Sequence, residues 1–452
     1  MDGFFEDTIV GIGTPLGKGG LGIVRVSGNQ AIEIINKHFK GKNLTLQLSH
    51  TLHYGKLVDA ENQLIDEVVV GLFRNPKSYT KENVVEISCH CSPFILNKVV
   101  EILVKSGCRM AQAGEFTKRA FLNGGLDLTQ AEAVGDLIAS ESSVAHRLAM
   151  NGLRGGLKDE LQRLRTQLVD FVALIELELD FSEEDVEFAK RDVLLKSIIN
   201  IKAHIQALAN SFQAGNAIVN GFPVAIVGKP NVGKSTLLNG LLNDEKAIVS
   251  PIAGTTRDVV EDRLFVGGFE LRIMDTAGLR ESEDVIEIEG VKRTIAKIKG
   301  AVIVVYVFDV SIEDLETART EAEKWISETE GVLVLVGNKV DLLNNQSIEN
   351  KEIIYLSAQK KIGLEALEER LLSIVLSLTS YDTILSNQRH LDCLLKTVES
   401  LTAVEKGIGT GLSGELLSVD IREALNSLGE ITGEVTNNEV LGAIFSRFCI
   451  GK

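Results

Sequence analysis

A P-loop α/β domain inserted into a helical domain, preceded by a second α/β domain, is the multidomain α/β plus all-α architecture that the sequence predicts. Three observations predict it. A glycine-rich phosphate motif, Gly228 to Ser235, directly follows the apolar run Val224–Val227. Across 217–381, strand-like apolar runs alternate with helical stretches, as in a parallel sheet wrapped by helices. Amphipathic helical spacing flanks that segment, at 127–215 and again at 384–407 and 415–428.

The elements follow in order. Residues 1–118 read as mixed α/β: apolar runs at Thr8–Ile12 and Gly22–Val26, helical spacing at Ala31–His38, strand-like runs at Glu67–Phe73 and Val84–Ser88, and a helix at Asn97–Lys105. Beyond them, Ala131, Val134, Leu137 and Ile138, then Leu161, Leu164, Leu168, Phe171 and Ile175, recur at helical spacing in a charged background. The central segment carries five strand-like runs, Val224–Val227, Leu271–Met274, Ala301–Phe308, Val332–Val336 and Ile353–Leu356. The six prolines stand at 15, 76, 93, 223, 230 and 251, so 94–222 and 252–452 are free of the residue that breaks helices. The expected division is 1–118, 119–216, 217–381 and 382–452, with the second and fourth segments forming one helical domain.

At about 100–200 residues per domain, 452 residues accommodate two to four domains. Lys and Arg number 47 against 63 Asp and Glu, a net charge of −16. That argues against a surface that grips nucleic acid everywhere, because phosphate contacts need Lys and Arg. A 44% hydrophobic composition excludes wholesale disorder. The five cysteines are too few for a disulfide scaffold, and Cys89-His90-Cys91 reads as buried strand thiols because no second ligand pair accompanies it. The longest apolar run, Ala301–Phe308, has eight residues, and a membrane span needs about 20. Met1–Asp7 lacks a basic region before an apolar core. A cytoplasmic protein with no membrane association is expected.

The segment Gly228-Lys-Pro-Asn231-Val232-Gly233-Lys234-Ser235 fits the phosphate-binding loop in its strand–loop–helix setting, with Thr236 opening the helix. Backbone N–H groups face the phosphates, the helix N-terminus adds positive potential, and Lys234 bridges the outer phosphates. The Ser235 hydroxyl is placed for Mg²⁺. Asp275-Thr276-Ala277-Gly278 follows the run Leu271–Met274; its carboxylate can hold the Mg²⁺ shell and the Gly278 N–H can meet the γ-phosphate. Thr255 and Thr256 offer a hydroxyl that closes over Mg²⁺. Asn338-Lys339-Val-Asp341 follows Val332–Val336. Its aspartate can accept from guanine N1 and N2, which adenine cannot supply. Ser357-Ala358 ends the last strand, where a backbone N–H can read guanine O6. Together these elements predict GTP binding.

Position 279 is Leu, where Ras-like enzymes hold a water-orienting Gln. Arg257 and Arg280 are candidate cations, equally readable as loop charges. Glu281, Glu283, Asp284, Glu287 and Glu289 are candidate acids, and composition does not choose among them.

With these residues in hand, the chain resembles the MnmE/TrmE family of tRNA-modification GTPases over its whole length. The flanking stretches carry the resemblance: Gly17–Gly28, Gly114–Asn123, Leu126–Ala133 and the terminal Phe448-Cys449-Ile450-Gly451-Lys452. The resemblance implies that Asn231 is a K⁺ ligand. It implies that Ser250-Pro251-Ile252-Ala253-Gly254-Thr255 is a K⁺ loop, with Ser250, Ile252 and Thr255 as ligands, so that K⁺ does the work of an arginine finger. It raises Glu287 above its acidic neighbours as the catalytic residue acting on water. It implies that residues 1–118 bind a 5-formyl- or methylene-tetrahydrofolate and form the homodimer. The folate positions fall on Arg25, Glu86, Gly125 and Lys452; Gly125 stands where the family usually has Lys and is kept as a lining position. Cys449 matches a cysteine needed for modification. The implied activity is GTP hydrolysis coupled to adding an aminomethyl or carboxymethylaminomethyl group at C5 of tRNA uridine-34, with an FAD-dependent partner in a heterotetramer. The alternative is a regulatory GTPase of ribosome assembly, like Era.

Asp341→Asn puts amide donors opposite guanine donors. GTP affinity should fall roughly tenfold or more, the loss of a charge-assisted hydrogen bond, and xanthine nucleotides should gain. Titration with fluorescent nucleotides checks this; unchanged GTP affinity would refute the guanine assignment.

Overall fold

A computed structural model describes residues 7–15, 17–180, 191–242, 262–274, 300–326, 331–343, 352–379, 383–436, 438–449 and 451. The chain folds into two compact units. One contains Met1–Ile138, Asn151–Phe188 and Ser413–Lys452; the other contains Ala139–Met150 and Ala189–Leu412.

The first unit holds a seven-stranded sheet of β1 (Thr8–Ile12), β2 (Gly19–Ser27), β3 (Phe39–Lys40), β4 (Thr51–Val58), β5 (Leu64–Phe73), β6 (Val84–Cys91) and β7 (Cys108–Met110). Its order is β3-β4-β5-β6-β2-β1-β7. All pairs are antiparallel except β1 with β7. Alternation sorts the faces. Val24, Val26, Val70 and Ile87 enter a core with Ile35, Leu96 and Leu103 from the helices Ala31–His38 and Pro93–Lys105. Pro93 opens the second helix, where its missing N–H costs nothing. The opposite pleat sets Arg25 directly across from Glu86 and leaves Leu52 and Tyr54 of β4 exposed.

Among the described residues this unit also holds the helices Glu115–Leu122, Leu128–Ala139, Gly156–Asp180, Gly414–Thr432 and Asn438–Phe445. Leu161, Leu164, Leu168, Phe171 and Ile175 are all buried, as their spacing predicts. Gly156–Asp180 packs along Gly414–Thr432, and Arg165 pairs with Glu434 at 2.9 Å. Leu128 and Ala131 join Leu441 and Phe445 in one cluster. Residues far apart in sequence therefore share a core, with the second unit inserted between them.

The second unit is built on β8 (Phe222–Val227), β9 (Asp262–Val266), β10 (Phe269–Met274), β11 (Ile303–Asp309), β12 (Val332–Asn338) and β13 (Ile353–Tyr355), ordered β13-β12-β11-β8-β10-β9. Every pair is parallel except β9 with β10. Both faces are covered, which is why β11 is buried at every position. Val224 and Ile226 face a core that includes Leu367 and Leu371 of the helix Leu364–Leu378. Ala225 and Val227 face the opposite core, with Ala318 and Ala322 of the helix Leu315–Ile326. The helix Arg191–Asn210 packs along Gln388–Thr410, and the Ser211 hydroxyl accepts from Leu385 N–H at 3.0 Å.

The predicted strands and long helices are present. β4 and β9 are not singled out by the sequence. His53 and Gly55 interrupt one apolar pattern, and Asp262 and Arg263 the other; each strand is specified by antiparallel pairing to its neighbour. Cys89 and Cys91 are buried on β6, and burial pushes the Cys89 thiol up to about 11. Among the described residues, no helix is long and apolar enough to cross a membrane.

Candidate functional site

The phosphate loop leaves β8 in the middle of its sheet. Gly228 has φ +145°, and a Cβ there would stand 2.1 Å from the Val307 carbonyl oxygen of β11, so no side chain fits. Gly233 has φ +97°, and its Cβ would meet Asn338 Nδ2 at 2.3 Å. Between them Asn231 holds a left-handed backbone, φ +63°. Its side chain is exposed. Lys234 opens the helix Lys234–Leu242 and turns back on the loop, donating to the carbonyl oxygens of Gly228 at 2.8 Å and Lys229 at 2.7 Å. Burial lowers the pKa of this ammonium, so an anion that restores its charge balance would be favoured there. Ser235 and Thr236 are exposed on the first helical turn, whose leading N–H groups have no partner within the helix.

The segment Asn338–Asp341, expected from the sequence to meet the base, is tied directly to this loop. Asn338, at the end of β12, is 2% exposed. Its Nδ2 donates to Val232 O at 2.8 Å, and its Oδ1 accepts from Ala358 N–H at 3.0 Å. One amide thus joins three segments. Lys339 also has a left-handed backbone, φ +67°. Its ammonium donates to Asn231 O at 2.8 Å and meets Asp309 Oδ2 at 2.7 Å. Burial works against ionised Asp309, but hydrogen bonds from Lys339 and Ser311 outweigh it and hold the carboxyl below its usual range. Lys229 pairs with Glu313 at 2.8 Å. Asp341 is exposed on the turn Val340–Leu342, where a base can reach it.

The two N–H groups expected near guanine O6 are both engaged. Ser357 N–H donates to Ile362 O at 2.9 Å, and Ala358 N–H donates to Asn338 Oδ1. Reading O6 from them requires sharing or exchanging a bond. Ser250, Pro251, Ile252, Ala253, Gly254, Thr255, Thr256, Asp275, Thr276, Ala277, Gly278 and Glu287 lie outside the described residues. Asp309 and Glu313 are the residues that sequence reasoning missed. The only available signal was that Asp309 is the first charge after the apolar run 301–308.

The first unit brings Arg25 and Glu86 together. Arg25 Nε and Nη2 lie 2.9 and 2.8 Å from Glu86 Oε1, and Nη1 donates to Gly451 O at 3.2 Å. The guanidinium carbon sits 5.6 Å from the ring centres of both Tyr79 and Phe116, a cation–π cage. Cys449 is exposed, and its carbonyl accepts from Gly114 N–H at 3.3 Å. Lys452 lies outside the described residues. Beneath this cluster, fully buried Arg119 contacts Glu82 at 3.2 Å, Glu115 at 3.1 Å and Asp7 at 2.7 Å. That network fastens the helix Glu115–Leu122, which supplies Phe116, to the sheet.

Two family models match the chain: the GTP-binding protein TrmE N-terminus over residues 8–125 and the MnmE helical domain over 128–449. Curated proteins named tRNA modification GTPase MnmE align along almost the full length. That of Christiangramia forsetii is 49% identical, covering 99% of each chain. That of Flavobacterium psychrophilum is 48% identical, covering 99% of this chain and 100% of its own. A solved structure of Aquifex aeolicus Era bound to GDP.AlF4- covers 39% of this chain and 66% of its own, at 28% identity and a TM-score of 0.27, too low to bear on function.

Asn338→Ala should leave the Val232 carbonyl and the Ala358 N–H unpaired in a buried place, at about 1–3 kcal/mol for each group. Nucleotide affinity should drop more than tenfold and the chain should unfold at lower urea. Fluorescent GDP titration and urea unfolding read the two effects; a variant unchanged in both would refute the bridging role.

Proposed function

The chain belongs to the MnmE family of tRNA modification GTPases, and from that premise we propose that it hydrolyses GTP with Mg²⁺ and K⁺ to drive modification of tRNA uridine-34. The observation that carries the reading is the pairing of a phosphate loop with a guanine loop through Asn338, in a chain aligned with its relatives from end to end. GTP is the substrate, and use of Mg²⁺ follows from membership of a GTPase family.

Ser235 and Asn231, the described members of the two ligand sets, are compatible with the cations. Ser235 is exposed on the first turn after the loop, as a Mg²⁺ hydroxyl ligand must be; Thr256 and Asp275 would complete the shell. The exposed Asn231 amide makes no hydrogen bond among the described residues. Its backbone is held by Lys339, leaving the Oδ1 for K⁺; Ser250, Ile252 and Thr255 would be the other ligands. A cation there supplies charge stabilisation to the phosphates. Lys234 exchanges its two carbonyl partners for phosphate oxygens, Asp341 orients guanine, and Glu287 aligns the attacking water that Leu279 cannot.

In the first unit, the caged Arg25–Glu86 pair, Gly125 and Lys452 form the site for a tetrahydrofolate carrying the one-carbon unit. Exposed Leu52 and Tyr54 on the open sheet face support a homodimer through residues 1–118. Segments 119–216 and 382–452 are taken as one helical domain and 217–381 as the GTPase. An FAD-dependent partner completes a heterotetramer and makes much of the tRNA contact, consistent with a net charge of −16. Cys449, exposed near the Arg25 cluster, belongs to the modification step. The protein works in the cytoplasm.

Comparison of wobble-uridine nucleosides in tRNA from a deletion strain and its parent tests the whole reading. Loss of the C5 substituent is expected; an unchanged nucleoside profile would overturn it. Glu287→Ala should keep GTP affinity within a few-fold and lower turnover by roughly 10²-fold, within the range of general-base contributions. The parent's turnover should be about 10²–10³ faster in K⁺ than in Na⁺, and Asn231→Ala should lose that response. Single-turnover assays in both salts decide these points: parental turnover in Glu287→Ala would remove it from catalysis, and equal parental rates in the two salts would remove K⁺.

A further inference from the structure

Lys452 lies outside the described residues, and among the others the folate reading leaves a charge unaccounted for. A folate ends in an anionic glutamate tail, and Arg25 is already committed to Glu86, with contacts at 2.9 and 2.8 Å and a carbonyl at 3.2 Å on its third nitrogen. Glu86 neutralises the guanidinium that a tail carboxylate would seek. Gly125 brings no side chain to the site.

Another cation stands on the same edge. Lys81 lies two residues beyond Tyr79, the aromatic residue under Arg25, and its backbone is left-handed at φ +61°. Side chains are uncommon in that conformation. Its stem runs across Gly125: Lys81 Cγ and Cε both lie 3.3 Å from where a Cβ of residue 125 would stand. The surroundings are fixed. Tyr79 Oη and Thr117 Oγ1 are 2.9 Å apart, Asn123 Nδ2 donates to Thr80 O at 2.7 Å, and Gly125 N–H donates to Ala120 O at 2.7 Å. The neighbouring Glu82 is occupied by Arg119 and Ser27. The Lys81 ammonium, by contrast, makes no ion pair or hydrogen bond among the described residues. A side chain at 125 would press on that stem, which would have to give by a few tenths of an ångström.

We propose that Lys81 is a ligand-binding residue whose ammonium takes a carboxylate of the folate tail at the Gly125 edge, leaving the paired Arg25 and Glu86 to the neutral ring. The proposal rests on the folate reading and is tested so that the two can fail separately. The full-length chain, Lys81→Gly and Lys81→Arg are titrated calorimetrically with 5-formyl-tetrahydrofolate and with the uncharged bis-amide of its tail. Glycine suits φ +61°, so Lys81→Gly relieves the backbone, and a thermal melt at or above the parental midpoint verifies its folding.

The parent should bind the acid about tenfold tighter than the bis-amide, one charge-assisted hydrogen bond. Lys81→Gly should lose that preference while binding the bis-amide as the parent does. Lys81→Arg should retain it. A tail preference that survives in Lys81→Gly, or a parent without one, overturns the role of Lys81 while leaving the folate site standing. A parent that binds neither ligand overturns both.

Discussion

A single buried amide couples the loop after β8 to the loops after β12 and β13. Asn338 sits at the C-terminal end of β12 with both ends of its side chain used, one on the phosphate loop and one on the loop after β13. Inside a protein, unpaired backbone groups are costly. The Val232 carbonyl, the Ala358 N–H and the Asn338 amide therefore fix one another. Gly233 follows from this geometry, since any side chain there would strike Asn338. The spacing of these loops is thus fixed by the protein itself, and in the proposed reading that is the preorganisation binding rewards.

Charge adds a second layer to the same frame. Asp309 at the end of β11 holds Lys339, and Lys339 holds the carbonyl of Asn231. The two anions that end or follow β11, Asp309 and Glu313, meet lysines from both loops. Lys234 behaves differently. Its ammonium rests on two carbonyls, with no carboxylate partner among the described residues, and burial weakens its hold on its proton. Among the described residues, Lys234 is thus a partly desolvated cation without an acidic partner, while Lys229 and Lys339 are paired.

The first unit applies the same logic to Arg119. A fully buried guanidinium is tolerable only when paired, and Glu82, Glu115 and Asp7 pair it. Burial disfavours ionised Glu115, but Arg109 and the Gln112 N–H more than offset this, and its carboxyl stays below the usual range. The network locks the helix Glu115–Leu122, and with it Phe116, beneath Arg25. The Arg25–Glu86 pair on the sheet surface is thereby held between two rings.

The sequence by itself determined the inserted architecture and marked the two loops, after β8 and after β12, that the proposed nucleotide site uses. Each is written in local signals: β-branched runs, the 3.6-residue recurrence of Leu161 to Ile175, and glycines at fixed spacing. Gly228 and Gly233 were legible as glycines, but the carbonyl and the amide that forbid a side chain there come from β11 and β12, roughly 80 and 105 residues away. The same holds for Asp309, Glu313 and Arg119. Each reads locally as an ordinary charge, and its partner is chosen by the crossing of distant segments. β4 and β9 were invisible for a related reason, since their interrupted apolar patterns become strands only beside a pairing neighbour. Lys81 and Gly125 are 44 residues apart, and neither carries a motif that mentions the other. Only the folded backbone lays the lysine stem across the glycine, because the contact depends on the path the chain takes between them.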